Sequence, residues 1–224
     1  MKNILYALVL LVSISESSKG QILNVNEITQ EQNQWCWAGV SKCILDYYGY
    51  TKSQCEIAEY TRTVATWRSF GSQSCCINPS GDCNYWNYNW GENGSIQDIL
   101  IHFGNIQNTG RGYALSESEA TTEFENNRLF VIRWGWTAGG GHFIVGHGKS
   151  GNNLYYMDPW YGEGHKIALY NWVVSNPEHT WTHTNVITSA TPNDVEDIML
   201  NEIVAVYPNP NNGQFNILLN NLNQ

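Results

Sequence analysis

The most constraining feature of the sequence is a cysteine at the point where a polar segment becomes an apolar one. Residues 30–35 read Gln-Glu-Gln-Asn-Gln-Trp, and Cys36 is followed by Trp-Ala-Gly-Val. Apolar side chains recur at positions 40, 43, 44 and 47, the spacing of one buried helix face, and Gly49 follows as a stop. The pattern predicts a helix from Cys36 to Tyr48. The cysteine lies in its first turn, where the free N–H groups of the helix favour a thiolate.

Helices are predicted in the first half of the chain and strands in the second. Serine caps followed three residues later by Glu or Asp predict helices that begin at Ser53, Ser95 and Ser116. Strand-like runs are predicted at 129–136, 142–148, 154–160, 165–170 and 180–188. Helices that precede strands in this way indicate the α+β class.

The predicted strands also indicate which histidine lies beside a carboxylate. If the turn after the second strand centres on Ser150, His142 and Asp158 are equally far from it and face each other across the hairpin. A cysteine nucleophile needs a base within hydrogen-bonding reach, and the base needs a group to orient it. Cys36, His142 and Asp158 are therefore the candidate catalytic residues.

Gln30, six residues before Cys36, is a candidate for stabilising negative charge. A side-chain amide and the backbone N–H of Cys36 together suit the oxygen that becomes charged in acyl transfer. The same argument applies to Gln32 and Gln34, and an ordinary polar loop residue is the alternative for Gln30.

Neither a metal ion nor an organic cofactor is predicted. His147 is five residues from His142, so on a regular strand its side chain points to the opposite face. The sequence contains neither an HExxH motif nor paired CxxC motifs. We interpret His147, His165, His179 and His183 as surface or structurally satisfied histidines.

The cysteines predict two disulfide bridges at most. They are at positions 36, 43, 55, 75, 76 and 83. Setting aside the candidate nucleophile leaves an odd number. The two adjacent cysteines cannot easily bond to each other and are expected to reach different partners, with Cys55 and Cys83 as natural candidates. Cys43 is expected to be a buried apolar residue.

Residues 1–20 are predicted to be a secretory signal peptide. Lys2 precedes an apolar run of about eleven residues, Ile4–Ile14, and small residues follow it. A membrane span needs roughly twenty apolar residues, so this run is too short to be an anchor. Export permits disulfides. The mature protein is expected to have one domain at 21–188, with 189–203 as a linker.

The overall charge limits the classes of partner. The net charge is −9 and the isoelectric point is about 5.0. An acidic surface repels phosphate, so nucleic acid is not an expected partner, and no basic amphipathic helix indicates membrane binding. The expected partner is a peptide or protein substrate, bound by a monomer.

The combination of motifs resembles the papain-like cysteine peptidases. It comprises Gln30, then Cys36-Trp-Ala at the head of a helix, then Gly-Gly-His142 on one strand and Asp158-Pro159 on the next. It is similar to the bacterial group with a Gln…Trp-Cys-Trp-Ala motif, which includes plant-pathogen type III effector proteases, and to bacteriocin-leader peptidases. The resemblance covers roughly residues 25–188.

The resemblance implies a papain-like fold, in which an N-terminal helical part carries the cysteine and a C-terminal antiparallel sheet carries the histidine and aspartate. It implies a secreted peptidase with Cys36 as nucleophile, His142 as base, Asp158 as orienting group and Gln30 in the oxyanion hole. Three features depart from the family. Ala38-Gly39 replaces the usual Ala-Ala, the third member is Asp rather than Asn, and the Cys-to-His span is shorter than the roughly 130–150 residues of papain.

Two alternatives use the same residues differently. An amidase, deamidase or acyltransferase would employ the same three catalytic groups. A catalytically inactive binding protein would instead use the aromatic-rich loop from Trp67 to Trp90 as a glycan- or protein-binding surface. Packing of those aromatic side chains around the disulfides is the simpler interpretation of the loop.

Residues 204–224 resemble the start of the C-terminal sorting domain used by type IX secretion in Bacteroidota. Tyr207-Pro-Asn-Pro and Gly213 lie between two short runs with β propensity, and the distal part of such a domain is absent. The segment is thus expected to be a truncated sorting domain, with an unrelated β-tail as the alternative. The resemblance implies a bacterial protein that is exported by a Sec-type signal and engages the type IX machinery.

Overall fold

The helices of this protein pack against one antiparallel sheet. The computed structural model describes residues 20–190, 205–207 and 216–218. The helices are α1 Cys36–Tyr47, α2 Gln54–Val64, α3 Ile96–Gly104, α4 Glu117–Glu125 and α5 Tyr170–Val174. The predicted α+β class is confirmed, with helices α1 to α4 before most of the sheet along the chain.

The sheet contains seven strands in the order β2-β7-β3-β4-β5-β6, with β1 paired to β4. Every pairing is antiparallel. The strands are β1 Gln21–Ile22, β2 Gln107–Arg111, β3 Phe130–Trp136, β4 Gly141–Ser150, β5 Asn153–Asp158, β6 Gly164–Leu169 and β7 His179–Ser189. The five predicted strands are therefore β3 to β7.

The predicted helix starts agree with the observed caps. Ser53 and Ser116 each form a reciprocal capping box with the glutamate three residues on, and the Ser95 hydroxyl accepts a hydrogen bond from the backbone N–H of Asp98. Each cap satisfies donors that a helix terminus leaves unpaired and contributes about 1 kcal/mol. These local patterns decide where α2, α3 and α4 begin.

Three elements were not predicted because the local sequence does not favour them. β2 reads Gln-Asn-Thr-Gly-Arg and becomes a strand by pairing along the edge of β7. β1 has only two residues and pairs with the part of β4 beyond the end of β3. The first residue of α5 was predicted to end the preceding strand, but it begins a five-residue helix.

Helix α1 is embedded in a single hydrophobic core. It packs against β4, α2 and α3. The predicted stripe is fully buried at Val40, Cys43 and Ile44. Burial raises the pKa of the Cys43 thiol far above its usual range, so this cysteine is an unreactive apolar side chain.

Two disulfides join the long segment between α2 and α3 to itself and to α2. Cys55 bonds Cys76, and Cys75 bonds Cys83, which confirms that the adjacent cysteines reach different partners. Cys36 remains a free thiol. Residues 65–94 contain no helix or strand, so the bridges supply order that regular structure does not.

Some predictions fall on parts of the chain outside the described residues. The predicted signal peptide lies there except for residue 20, as do most of the predicted linker and of the tail. Within the tail, β8 Ala205–Tyr207 and β9 Asn216–Leu218 pair antiparallel, which confirms the two predicted β runs. None of the helices in the described residues is long and apolar enough to cross a membrane.

Candidate active site

Cys36 is the first residue of α1 and lines a large cavity. Its side chain is half-buried. As the first helical residue, it has a backbone N–H without an intrahelical acceptor. The thiol and a free N–H donor therefore lie at the same helix terminus.

His142 and Asp158 form a short, buried hydrogen bond. The Nε2 atom of His142 lies 2.6 Å from Oδ1 of Asp158, and both side chains are almost completely buried. The Cys36 thiol also lies close to the His142 ring and, by its interaction with the ring, raises the pKa of the imidazole. Because Asp158 occupies Nε2, Nδ1 is the nitrogen left for the thiol. The structure thus brings the three candidate residues together in the predicted order.

The strand register that joins His142 to Asp158 differs from the predicted one. The turn centres beyond Ser150, because Ser150 pairs with Asn153. The ladder then shifts at a β-bulge that leaves His147 as an extra residue on β4. If the pairing of Val145 with Met157 is extended by one residue, Asp158 lies opposite residue 144 rather than opposite His142.

The bulge decides that the two side chains meet. Without it, Asp158 would be level with Val145, three residues from His142, and the side chains would point to opposite faces of the sheet. The extra residue restores the same face, so that His142 and Asp158 become diagonal neighbours within side-chain reach. The predicted contact is present, but for a different reason.

Asp158 and Gln30 are joined through Pro159. The backbone N–H of Gln30 donates to the Pro159 carbonyl at 2.7 Å. A Cβ atom added to Gly39 would lie 2.8 Å from Cβ of Pro159, so only glycine lets α1 approach this closely. This explains the Ala38-Gly39 departure from the family pattern.

Gln30 is fully buried but does not line the cavity. Its Nε2 donates to the backbone carbonyl of Gln32 at 2.8 Å, which leaves one amide hydrogen unassigned, and its Oε1 has no partner among the described residues. Gln34, an alternative from the sequence, does line the cavity. Gln30 therefore lies close to the helix terminus without pointing openly into the cavity.

The segment that carries Cys36 is clamped to the disulfide-bonded loop. Four hydrogen bonds link residues 33–37 to residues 83–85. They are Trp35 Nε1 to Cys83 O at 2.8 Å, Trp37 Nε1 to Tyr85 O at 2.8 Å, Gln34 N to Asn84 Oδ1 at 3.1 Å, and Asn84 Nδ2 to Asn33 Oδ1 at 2.8 Å. Sequence reasoning missed Asn84, because no local pattern marks a contact across fifty residues.

The cavity is large and aromatic. Its volume is about 840 Å³, and Cys36, His142 and Asp158 lie on its wall. Five tryptophans also line it: Trp86, Trp134, Trp136, Trp160 and Trp172. Clefts of this size with a few converging polar groups are typical of binding sites for small molecules and peptide segments.

The electrostatics favour a protonated His142. Burial by itself lowers the pKa of this ring, but hydrogen bonds to Asp158 and Cys36, together with their negative charges, outweigh burial and raise the pKa. The oxygen of Asp158 that meets His142 also accepts the backbone N–H of Trp160 at 2.8 Å. The carboxylate is thus fixed from two sides.

Two of the other histidines, His147 and His179, are held by hydrogen bonds or ring contacts outside the group of Cys36, His142 and Asp158. His147 hydrogen-bonds through Nδ1 to the Leu23 carbonyl at 2.9 Å, and its ring lies 5.3 Å from that of His165. His179 is buried against Trp134. Among the described residues, no three His, Cys, Asp or Glu side chains converge as metal ligands would.

The aromatic-rich loop from Trp67 to Trp90 has two roles in the structure. Trp67 packs edge-on against the buried Phe70 and stacks on Trp86 at 5.4 Å, as the packing interpretation expects. Trp86 is partly exposed and lines the cavity. The loop is therefore both a packed unit and one wall of the site.

An α+β architecture with a cysteine at a helix terminus and a histidine on an antiparallel sheet is that of the papain-like cysteine peptidases. The chain belongs to the Peptidase_C39-like family, whose model matches residues 22–186. It is therefore a cysteine peptidase, a hydrolase of peptide bonds. No curated protein matches the chain.

Solved structures resemble this chain at low sequence identity, and the first of the three below shares its fold. A protein from Bacillus anthracis described as a C39-like peptidase superposes with a TM-score of 0.52 at 15% identity, covering 77% of this chain and 99% of its own. The peptidase domain of Streptococcus ComA, a bifunctional ABC transporter involved in quorum sensing, gives 0.46 at 14% identity, with 74% and 100% covered. A double-glycine-motif protease from an AMS/PCAT transporter, in complex with its leader peptide, gives 0.44 at 17% identity, with 75% and 95% covered.

Proposed function

We propose that this protein is an exported cysteine peptidase in which Cys36 is the nucleophile, His142 the base and Asp158 the group that orients the base. The observation that carries the proposal is the arrangement of three groups on one cavity wall, where the imidazole is hydrogen-bonded to the carboxylate and its pKa is raised by the neighbouring thiol. Removing one member of such a unit disables the others.

The proposed reaction has two stages. The thiol proton passes first to His142, whose raised pKa favours the resulting imidazolium, and the sulfur of Cys36 then attacks the carbonyl carbon of the scissile peptide bond. His142 gives this proton to the departing amine. The acyl group is left on sulfur as a thioester. A water molecule then gives a proton to His142 and attacks the thioester, and the returning proton regenerates the thiol.

The proposed oxyanion hole consists of the backbone N–H of Cys36 and the side chain of Gln30. Support comes from the helix terminus, which leaves this N–H unpaired, and from the burial of Gln30. Pro159 holds the Gln30 backbone beside the residue that orients the base. Asp158 serves only to hold the imidazole in position and to stabilise its charge.

The proposal is tested with a thiol-reactive peptide probe on the reduced protein. We expect the wild type to be labelled at Cys36, and the His142→Ala variant to be labelled at least about tenfold more slowly because its thiol has lost the base. Cys43→Ala is the matched control and should still be labelled at Cys36, since Cys43 is buried. Equal labelling rates in wild type and His142→Ala would contradict the catalytic role of His142.

A second assay separates peptide hydrolysis from the related chemistries. Products from a peptide library, from free glutamine and from peptidoglycan fragments are compared by mass spectrometry. We expect new peptide termini from the library. Release of ammonia alone, or acyl transfer to an added amine without hydrolysis, would indicate the amidase, deamidase or acyltransferase alternative.

We also propose that the protein is secreted, with residues 1–20 removed as a signal peptide, 189–203 as a linker and 204–224 as part of a type IX sorting domain. The two disulfides support an oxidising compartment. The N-terminus of the protein recovered from culture medium is measured by mass spectrometry. An intact Met1 on the recovered protein would contradict cleavage.

A further inference from the structure

Beside the catalytic histidine, four aromatic rings form a cage open to the cavity. Trp134 is the floor and is only 4% exposed. Trp172 is perpendicular to it, with ring centroids 6.1 Å apart and an interplanar angle of 88°. Trp136 is tilted by 53° at 5.9 Å, and His179 stacks on the floor at 4.0 Å. Because His179 covers one face of Trp134, the ring surface that the cage presents to the cavity comes from the half-buried Trp136 and the exposed Trp172.

The polar atoms of these rings point away from the pocket. The indole N–H of Trp134 donates to the Val173 carbonyl at 3.0 Å, and Nε2 of His179 hydrogen-bonds to the same carbonyl at 3.2 Å. Nδ1 of His179 meets the Asn176 amide at 3.2 Å. Trp134 and His179 are thus held in place by hydrogen bonds, and they support Trp136 and Trp172 from behind.

The cage contains no positive charge of its own. Burial lowers the pKa of His179, so this ring is neutral at physiological pH. Arg133 also lines the cavity, where Thr182 and the Gly140 carbonyl hold its guanidinium. The four rings of the cage themselves therefore carry no positive charge that would repel a cation.

A carboxylate is available next to the cage. Glu178 is exposed, lines the same cavity and interacts electrostatically with His179. Within the described part of the chain, it forms no salt bridge. By contrast, Glu163, the other glutamate that lines the cavity, already pairs with Lys166 at 2.9 Å. Glu178 is thus the carboxylate with capacity for an incoming cation.

We propose that Trp136 and Trp172, supported by the stacked Trp134 and His179 and with Glu178 at the rim, form a subsite for a lysine or arginine side chain of the substrate. A cation over tryptophan faces is attracted by the ring quadrupole, and a nearby carboxylate adds to this attraction. The net charge of −9 favours the approach of cationic peptides. The inference deepens the proposed function and rests on it.

The position of the cage predicts where the cation lies in the substrate. The ring centroids of Trp136 and His142 are 6.0 Å apart, and those of Trp134 and His142 are 6.3 Å apart. A side chain in the cage therefore belongs to a residue within one or two positions of the scissile bond. The enzyme would discriminate among peptides by a charge next to the bond that it cuts.

The test compares peptides that differ only by lysine or norleucine at one of three positions on either side of the cleaved bond. Norleucine keeps the methylene chain and lacks the ammonium group. We expect one position at which wild-type kcat/KM favours lysine by between about 3-fold and 30-fold. In Trp172→Leu and Glu178→Gln, this ratio should fall towards one.

Two matched variants control the test. Trp86→Leu removes a cavity tryptophan outside the cage, and Glu163→Gln removes the carboxylate that is already paired. Both should keep the lysine-to-norleucine ratio. A wild-type ratio near one at every position, a preference for norleucine, or a ratio that survives in both cage variants would overturn the subsite.

A binding measurement separates this inference from the catalytic proposal. The same peptides are titrated onto the Cys36→Ala variant, and dissociation constants are read from tryptophan fluorescence. If the wild type cleaves no peptide but the lysine form binds more tightly, the catalytic proposal fails and the subsite stands. If peptides are cleaved and both forms bind equally, the subsite fails alone.

Discussion

Asp158 holds His142 through a single carboxylate oxygen. That oxygen accepts both the imidazole at 2.6 Å and the backbone N–H of Trp160 at 2.8 Å, so rotation of the carboxylate would break two hydrogen bonds. Because this carboxylate oxygen cannot rotate freely, it fixes the plane of the His142 ring as well as the position of the negative charge beside it. His142 is therefore presented to Cys36 in one orientation, and little reorganisation is needed during a reaction.

Replacing Asp158 with asparagine should move the alkaline limb of activity to lower pH. The carboxylate raises the pKa of His142 by its hydrogen bond and its charge, so the neutral amide lowers that pKa, and the imidazolium deprotonates at lower pH. The expected shift in the pH profile of kcat/KM is about one unit or more. Tyr156→Phe is the control, because the hydrogen bond between His142 and Asp158 does not involve its hydroxyl. An unchanged alkaline limb in Asp158→Asn would show that Asp158 does not set this pKa.

At the scale of elements, α1 is held at its N-terminus from two directions. Pro159 packs on Gly39 on one side, and residues 83–85 hydrogen-bond to residues 33–37 on the other. The second contact comes from a loop without regular structure, whose rigidity depends on the Cys75–Cys83 bridge. The disulfides are thus structurally coupled to the position of Cys36.

Asn84→Ala should lower kcat/KM by about tenfold and lower the melting temperature by a few degrees. Two hydrogen bonds to the segment before Cys36 are lost, each worth about 1 kcal/mol, and the thiol is less well placed against His142. Asn78→Ala is the matched control, since this side chain bonds only to Gln73 within the same loop. Peptide hydrolysis and melting temperature are both measured. Equal activity in the two variants would mean that the clamp does not position the nucleophile.

On the scale of the whole molecule, the buried histidines have opposite effects on how the stability of the fold depends on pH. Burial lowers the pKa of His147 and His179, so the native state binds fewer protons than the unfolded state, and stability is lost as pH falls below about 6.5. His142 acts in the opposite sense. Its raised pKa stabilises the fold below about 6.5, and this contribution is lost as pH rises through the folded value.

The melting temperature should therefore decrease between about pH 6.5 and pH 5, and His147→Gln should flatten this slope. Protonation would place a charge on Nε2 of His147, which is buried without a partner and lies near the ring of His165. Paired carboxylates affect the stability only at lower pH. For example, a hydrogen bond from Arg62 lowers the pKa of Glu59 to about 2. Thermal melts of both proteins across this range provide the test, and an identical slope would refute the assignment to His147.

Local patterns were sufficient for much of the architecture. The sequence predicted where α2 and α4 begin, at Ser53 and Ser116, because a capping box involves residues only three apart. The apolar stripe after Cys36 predicted α1 to within one residue, and adjacency alone kept Cys75 from bonding Cys76. β2 was not predicted, because its strand conformation comes from pairing with β7 rather than from its own polar sequence.

By itself, the sequence determined helices α1 to α4, the odd free thiol and the identity of Cys36, His142 and Asp158 as candidates, because short-range spacing encodes these features. Only the tertiary structure decided how His142 reaches Asp158. A single extra residue at a bulge exchanges the two faces of a strand, and no local propensity marks its position. The Asn84 clamp and the aromatic cage depend likewise on contacts between distant segments, whose geometry exists only once the sheet and the disulfide-bonded loop have assembled.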